Sequence, residues 1–405
     1  MSLHATLVLP MKIYYQNNRA TLFLGDNHDV LPQLSSIDSI VTDPPYGLRF
    51  MGKAWDYDVP RFDIWQMVLE VCKPGAHLLS FFGSRTYHRG VVQIEDAGWE
   101  IRDSIMWLYG SGFPKSHDVS KAIDKEAGAK RDVIGKRNAG RARGGNAFDD
   151  DAYQWPGTVD VTVPATEAAQ QWDGWGTALK PAHEPIVLAR KTLIGTIAQN
   201  ITEHSTGAVN IDRCRINPGE PVSGGGGFKG GAKSRHDGWQ RESHSKSLST
   251  EPHNKGRWPA NVIHDGSDEV LDAFAQFGEK TSNSKPGIVR KNGTTFMTHA
   301  RGQVVEAAYG DTGSAARFFY CAKASKSDRG EGNTHPTVKP TELMRYLCRL
   351  ITPPNGIILD PFMGSGSTGV AALAEGFRFI GIDRDEASCE IAAKRLAQGV
   401  LSFEE

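Results

Sequence analysis

Short apolar runs alternate with amphipathic stretches in the first hundred residues of the chain. The runs are ATLFL at 20–24, DSIVT at 38–42 and HLLSFF at 77–82, the last of which follows a turn at Lys73-Pro74-Gly75. Between the second and third runs, RFDIWQMVLEVC at 61–72 repeats apolar residues at helical spacing. Short, continuously apolar strands are typical of a sheet that is covered on both faces. This end of the chain therefore predicts βα units.

The last third of the chain has the clearest pattern. It predicts an amphipathic helix at 341–351, a buried strand at 356–360, a helix at 367–376 that ends on glycine, and a second buried strand at 377–383. This is a βαβ unit with a helix in front of it. The two ends together predict an α/β fold with a doubly wound, mostly parallel sheet.

The middle of the chain is more polar. Residues 115–145 hold nine Lys and Arg against four Asp and Glu, which fits either a solvated loop or a DNA contact. A strand-like pattern returns around Pro185 to Ala189 and is expected to rejoin the sheet. Residues 201–330 carry eighteen basic against fourteen acidic residues and include the glycine tract SGGGGFKGG, with strand patterns in RWPANVIHD and ARFFYCAK. We interpret them as a variable, partly loop-built module.

Composition narrows the classes of protein without choosing one. The 405 residues can hold one large α/β domain and a smaller unit, and a net charge of −1 restricts any DNA contact to local patches. Five scattered cysteines without a CxxC pair predict neither disulfides nor a zinc site, and we expect no metal. The apolar start lacks a basic segment and a cleavage site, so we expect a cytoplasmic protein that does not enter a membrane.

A glycine-rich turn follows the strand at 356–360. In open α/β sheets ligands bind beyond the carboxyl ends of strands, and Gly364 and Gly366 would let the backbone approach a ligand closely. The next strand ends at Asp383, whose carboxylate can accept hydrogen bonds from ribose hydroxyls. Since Gly364, Gly366 and Gly369 also satisfy GxGxxG, a nicotinamide-dependent oxidoreductase stays open at this point.

The strand at 38–42 runs directly into Asp43-Pro44-Pro45-Tyr46. The two prolines fix the backbone and remove two N–H donors, so the Pro44 carbonyl is presented rigidly without a local partner. The Asp43 carboxylate and the Pro44 carbonyl could accept the two N–H groups of an amine on a planar base. Tyr46 offers a flat face on which that base could stack.

These motifs resemble those of the β-class DNA amino-methyltransferases, a permuted family in which the catalytic motif precedes the cofactor motif. DPPY at 43–46 comes before the variable region, and DPFMGSGST at 360–368 comes after it. The segment that ends at Asp26 is similar to the family's adenine-contacting segment, and HPTVKP at 335–340 is similar to an element near the methionine end of the cofactor. The order argues against protein glutamine methyltransferases, which place Asn-Pro-Pro-Tyr after the cofactor motif.

The resemblance implies a seven-stranded Rossmann-like methyltransferase core, S-adenosylmethionine as cofactor and double-stranded DNA as substrate. It also implies a protein that is encoded by a bacterium or a phage. It implies methylation of adenine N6 in a flipped-out base. Cytosine N4 is the alternative, and Asp43 favours adenine because the cytosine-N4 enzymes more often carry Ser at this position. A catalytically inactive DNA-binding relative, a homodimer and a partner restriction endonuclease stay open. The cofactor contacts that it implies are Asp26, Thr337, Lys339, Asp360, Pro361, Phe362, Gly364, Gly366, Ser367 and Asp383.

The same resemblance sets the expected division of the chain. The two halves of the core are expected at 10–112, which carries the catalytic motif, and at 316–400, which binds the cofactor. Between them we expect a basic insertion at 113–175, a core strand region at 176–200 and a target-recognition region at 201–315.

Overall fold

A computed structural model describes residues 12–48, 56–112, 116–138, 158–216, 256–281, 312–323, 328, 333 and 338–401. The chain forms two compact units. The larger comprises Met1–Val209, Asn261–Val270 and Cys321–Glu405, and the smaller comprises Asn210–Ala260 and Leu271–Tyr320. No helix in the described part of the chain is long and apolar enough to cross a membrane.

The strands within the described residues are two to ten residues long. They are β1 (Ile13–Gln16), β2 (Ala20–Leu24), β3 (Ile37–Thr42), β4 (Cys72–Phe81), β5 (Glu100–Leu108), β6 (Val133–Asn138), β7 (Thr158–Thr162), β8 (His183–Arg190), β9 (Val262–His264), β10 (Lys280–Thr281), β11 (Thr312–Gly313), β12 (Tyr320–Cys321), β13 (Ile357–Asp360) and β14 (Arg378–Asp383).

The helices alternate with these strands. They are α1 (Asn27–Val30), α2 (Phe62–Val71), α3 (Tyr87–Asp96), α4 (Val119–Glu126), α5 (Glu167–Gln171), α6 (Ile197–His204), α7 (Asp268–Ala275), α8 (Thr341–Ile351), α9 (Ser367–Ala374) and α10 (Glu386–Leu401). In the part of the chain that the structure describes, 3-10 helices lie at Leu31–Gln33, Asp212–Cys214 and Ala315–Phe318.

The main sheet has the strand order β1-β2-β14-β13-β3-β4-β8-β5-β9-β12. Neighbours from β2 to β4 are all parallel, whereas β8 runs antiparallel between β4 and β5. The seven strands from β2 to β5 form the predicted mostly parallel core, and three shorter strands extend its edges. The prediction of a doubly wound α/β fold is confirmed.

Helices cover both faces of this sheet. Ile40 of β3 and Leu78 of β4 belong to an apolar core that also contains Trp65 of α2. Residues next to them in a strand point to the other face, where Ser39 Oγ lies 2.8 Å from Oγ1 of Thr352, the residue after α8. Burial on both faces explains why apolar residues occupy consecutive positions in these strands, as in Ile40-Val41 and Leu78-Leu79.

Most predicted elements are present, with two differences. β4 begins at Cys72 rather than after the predicted turn, because its first residue pairs with Ile37 ahead of a register shift. The pattern in ARFFYCAK predicted a strand, which is wrong for its first half: a 3-10 helix occupies Ala315–Phe318, and the Ser314 side chain accepts from the Ala316 N–H at its start. The SGGGGFKGG tract lies outside the described residues.

The smaller unit is built from short elements. Within it, Ile216 forms an antiparallel bridge with Arg257, and β10 pairs antiparallel with β11. The guanidinium of Arg215 lies 5.3 Å from the ring centroid of Trp258. Target recognition, which we expect of residues 201–315, stays a prediction.

Candidate active site

The sheet brings the two sequence motifs to one edge. β3 and β13 are parallel neighbours, with Ile358 opposite Ser39 and Leu359 opposite Ile40. Because both strands end at the same edge, the segments that follow them, from Asp43 and from Pro361, begin side by side. The hydroxyl of Thr42 donates to the Asp360 carboxylate at 2.6 Å and ties the two strand ends together.

A cavity of about 850 Å³ lies at this edge of the larger unit. Its volume is within the range of ordinary small-molecule sites, about 300 to 1,000 Å³. Ten of the predicted site residues line it: Asp26, Asp43, Pro44, Pro45, Tyr46, Lys339, Pro361, Phe362, Gly364 and Asp383. Thr337 is the one predicted site residue that lies outside the described residues.

Three predicted cofactor contacts that the structure does describe, Asp360, Gly366 and Ser367, do not line the cavity. Gly366 has a left-handed backbone, and a Cβ placed on it would lie 2.9 Å from the Cβ of Ala392 in α10. The missing side chain therefore makes room for a helix, where we had expected it to make room for a ligand. Ser367 is the first residue of α9, and its hydroxyl accepts from Arg395 at 3.2 Å.

The side chain of Asp360 is buried under the cavity and fastens the cofactor turn to the neighbouring strand. Its carboxylate accepts from the hydroxyls of Thr42 and Thr368, both at 2.6 Å, and from the Phe362 N–H at 3.1 Å. Burial raises the pKa of this carboxyl from 3.8 to about 6, although the three hydrogen bonds act in the opposite direction. Asp360 thus orders the loop from within the fold.

This raised pKa predicts a pH-dependent stability that the Asp360→Asn variant lacks. Between pH 3.8 and about 6 the folded chain keeps a proton that the unfolded chain releases, so its contribution is complete below the lower value and is lost as pH rises through the upper one. Relative to the wild type, the free energy of unfolding of Asp360→Asn should rise by about 3 kcal/mol across this window and stay level above it. Urea unfolding of both proteins from pH 4 to 7.5 measures the difference; a constant difference would contradict the assignment.

Four side chains form a compact hydrogen-bonded group on the cavity wall, which we call the Asp43 cluster: Asp43, Tyr46, Glu184 and Lys339. The Lys339 ammonium donates to Asp43 Oδ2 at 2.6 Å and to the Tyr46 hydroxyl at 3.1 Å, and it lies 3.2 Å from Glu184 Oε2. The Tyr46 hydroxyl lies 2.7 Å from one oxygen of each carboxylate. Having a single proton, it donates to one carboxylate at a time.

The charges within the Asp43 cluster fix its protonation. Burial lowers the pKa of the Lys339 ammonium, but the charges of Asp43 and Glu184 outweigh burial and hold the pKa above its usual value. Burial and the same two carboxylates raise the pKa of the Tyr46 phenol well above its usual range. Lys339 is therefore charged and Tyr46 neutral at physiological pH.

Asp56 holds the turn that follows the DPPY motif. Its side chain accepts from the backbone N–H groups of Tyr46 at 2.7 Å, Gly47 at 2.8 Å and Leu48 at 3.2 Å, and it is only 2% exposed. Charge-assisted hydrogen bonds of this kind are about twice as strong as neutral ones. The contacts fix the backbone that carries Tyr46.

The other end of the cavity is lined by carboxylates and backbone turns. Asp26 caps the N-terminus of α1 by accepting from the His28 N–H at 2.9 Å, and Asp383 accepts from the Gly364 N–H at 2.8 Å. Asn27 donates to the Pro361 carbonyl at 2.9 Å, while its own Oδ1 is buried without a hydrogen-bond partner among the described residues. A buried acceptor without a partner is costly, so a ligand that donates to it fits this end of the cavity.

Three residues of the site, Glu184, Asp56 and Asn27, were not predicted from the sequence. Glu184 is the second residue of β8, and its side chain belongs to the Asp43 cluster. It reaches the site because β8 runs antiparallel to β4, which places the start of β8 at the edge where β4 ends. No sequence pattern indicated a role for Asp56, since its hydrogen-bond partners are backbone N–H groups several residues away in the chain.

Comparison with known proteins agrees with this geometry. The family model for N6/N4 DNA methylases, described as DNA methylase, matches residues 37–394, and the chain therefore belongs to this family. Membership confirms the resemblance drawn from the motifs and the S-adenosylmethionine cofactor that it implies.

Individual relatives match over shorter stretches. The chain is 46% identical over 74 residues to the type II methyltransferase M2.LlaDCHI of Lactococcus lactis subsp. cremoris, which is 18% of this chain and 27% of that protein. It is 50% identical over 62 residues to M2.DpnII of Streptococcus pneumoniae, which is 15% and 23%. The matched part thus spans about a quarter of these curated relatives.

A solved structure matches over a longer range but loosely. The PvuII DNA methyltransferase, described as cytosine-N4-specific, aligns over 95% of this chain and 89% of its own at 14% identity, with a TM-score of 0.42. The family assignment does not depend on this superposition.

Proposed function

We propose that the chain is a site-specific DNA methyltransferase that moves the methyl group of S-adenosylmethionine to the exocyclic N6 of an adenine flipped out of double-stranded DNA. The observation that carries the proposal is a single cavity lined both by Asp43, Pro44 and Tyr46 and by Gly364 and Asp383. A methyl donor on one side and an amine on the other can meet there without crossing the sheet.

The cofactor end of the cavity supplies the groups that an adenosine needs. Asp383 and Asp26 are acceptors for hydroxyl or amino groups, Asn27 Oδ1 is a buried acceptor, and Phe362 adds an apolar wall. We propose that these residues hold the cofactor, which supplies an electrophilic methyl group when bound. The proposed contact of Lys339 with the methionine end requires its ammonium to leave part of the Asp43 cluster, where it now bonds to Asp43 and Tyr46.

The other end of the cavity suits a weakly nucleophilic amine. The lone pair of an exocyclic amino nitrogen is delocalised into the ring, so hydrogen bonds that favour a pyramidal nitrogen make it available. In our proposal the Asp43 carboxylate and the Pro44 carbonyl accept the two N–H groups. Catalysis then depends on positioning and on electrostatic stabilisation, and Asp43 takes the proton that the methylated nitrogen sheds.

Tyr46 is proposed as the surface against which the flipped base stacks. Stacking of a base on an aromatic side chain contributes about 1 to 3 kcal/mol, which offsets much of the few kcal/mol spent on unstacking it. The Asp56 hydrogen bonds to the Tyr46 and Gly47 N–H groups would keep the ring in place.

The choice of adenine rests on Asp43 at the first position of the motif, where the family resemblance implies an N6 enzyme. Double-stranded DNA as the substrate is supported by family membership and by the basic stretch at 115–145. A homodimer and a partner endonuclease stay hypotheses.

Product analysis tests the proposal. Purified protein, unmethylated duplex DNA and methyl-tritiated S-adenosylmethionine are incubated, and the DNA is digested to nucleosides. We expect the label in N6-methyldeoxyadenosine, whereas DNA premethylated by the same protein with unlabelled cofactor should accept none. Label in N4-methyldeoxycytidine would keep amine methylation and overturn the choice of base. Label in 5-methyldeoxycytidine, or no label at all, would contradict the proposal.

A further inference from the structure

Glu184 has no assigned role in the activity proposed above, yet it is the second carboxylate of the Asp43 cluster. Its Oε2 lies 2.7 Å from the Tyr46 hydroxyl and 3.2 Å from the Lys339 ammonium. The side chains of Glu184 and Lys339 are 21% and 9% exposed, so water screens the pair only weakly. A carboxylate that is so weakly screened interacts strongly with the neighbouring charged groups.

The charge of the cluster depends on Glu184. Lys339 contacts both carboxylates, and Tyr46 is neutral. With two carboxylates and one ammonium the cluster carries one net negative charge. Without Glu184, Lys339 would cancel Asp43, to which it already bonds at 2.6 Å, and the cluster would be neutral.

Methyl transfer to an amine moves a positive charge into this region. The carbon–sulfur bond of the sulfonium breaks and a carbon–nitrogen bond forms, with the nitrogen lone pair supplying the electrons. The positive charge thereby passes from sulfur to nitrogen, and the nitrogen afterwards loses one N–H proton to a pocket carboxylate. A preorganised negative charge beside the nitrogen stabilises the charge as it develops.

We propose that Glu184 is a positioning residue that acts through Lys339: it shares the ammonium with Asp43, compensates its charge and keeps the pocket negative when the target amine binds. This inference rests on the proposed function. It assigns to Glu184 the task of compensating Lys339, so the effect of losing Glu184 should depend on whether Lys339 is present.

A double-variant experiment tests this dependence. Glu184→Gln should lower the turnover number at saturating cofactor by about 10- to 100-fold, because Lys339 then neutralises Asp43. Adding Lys339→Met, which keeps the length of the side chain but removes its charge, should recover at least about tenfold of that loss. Glu95→Gln, the same substitution on the exposed face of α3, is the matched control and should behave as wild type.

A binding readout separates this charge effect from activity. S-adenosylmethionine carries a sulfonium charge that S-adenosylhomocysteine lacks, so calorimetric titration of both measures how the pocket treats a cation. The affinity for S-adenosylmethionine relative to that for S-adenosylhomocysteine should fall in Glu184→Gln. It should return to the wild-type value in the double variant. A contact between Lys339 and the shared carboxylate of both ligands would cancel in this ratio.

The outcomes are distinct. If the wild type methylates DNA but Lys339→Met restores neither the turnover number nor the affinity ratio of Glu184→Gln, the proposal for Glu184 is overturned. If the wild type itself transfers no methyl group to DNA, the proposed function fails, and the affinity ratio still decides whether Glu184 sets the charge of the pocket.

Discussion

Asp43→Asn is expected to lower methyl transfer by about 100- to 1,000-fold, the usual cost of removing one preorganised electrostatic contact with a transition state. The substitution keeps the shape of the side chain and one acceptor oxygen but removes the charge. The Lys339 ammonium, 2.6 Å from Asp43 Oδ2 in the wild type, would then balance Glu184, and the Asp43 cluster would lose its net negative charge. Single-turnover methylation with saturating cofactor and DNA measures the effect on the chemical step.

Binding of S-adenosylmethionine should fall much less than turnover in this variant, since we assign most cofactor contacts to the other end of the cavity and only the sulfonium charge should respond to the Asp43 cluster. Asp96→Asn, the same substitution on the exposed last residue of α3, serves as the control for the loss of one surface charge. An Asp43→Asn protein that turns over at the wild-type rate, or that loses cofactor binding as severely as turnover, would contradict the role given to Asp43.

Asp383→Ala is expected to have the opposite effect: it should weaken cofactor binding and leave turnover at saturating cofactor nearly unchanged. Hydrogen bonds to a charged group contribute about 1.5 to 3 kcal/mol each. Loss of the two bonds that we propose between Asp383 and the ribose hydroxyls should therefore raise the dissociation constant of S-adenosylmethionine by about 100-fold or more. The Gly364 N–H would also lose the acceptor that it now bonds at 2.8 Å. Once cofactor is saturating, the turnover number should return to near that of the wild type.

Calorimetric titration of cofactor, followed by turnover at several cofactor concentrations, checks this profile. Thermal unfolding of the ligand-free protein controls for collapse of the loop, because Asp383 also accepts from the Asp385 N–H at 2.9 Å. Unchanged cofactor affinity in a folded Asp383→Ala protein would remove Asp383 from the cofactor site.

The core and both motifs could be predicted from the sequence because their signals are local. β3 and β13 are short strands whose residues are almost all buried. The motif residues Asp43 and Pro361 follow directly after their last residues. Parallel neighbours place such strand ends together, so two local patterns were enough to predict one cleft.

The rest of the site depends on contacts between distant parts of the chain. Glu184 joins the Asp43 cluster only because β8 pairs antiparallel with β4. The amino-acid sequence of an eight-residue strand does not show whether that strand will be parallel or antiparallel to its neighbour. Asp360 belongs to the cofactor motif, but its side chain is buried under the cavity and accepts hydrogen bonds from the hydroxyls of Thr42 and Thr368. Its role is therefore to hold the loop in place. Gly366 likewise makes room for Ala392 of α10, a contact that no local pattern encodes.

The central claim is spatial, and a crystal structure of the protein with S-adenosylmethionine tests it most directly. We predict that the adenosine lies against Asp26, Phe362 and Asp383, and that the sulfonium methyl group points toward the edge formed by Asp43 and Pro44. A cofactor bound elsewhere on the chain, or bound in this cavity with its methyl group turned away from Asp43, would contradict the account.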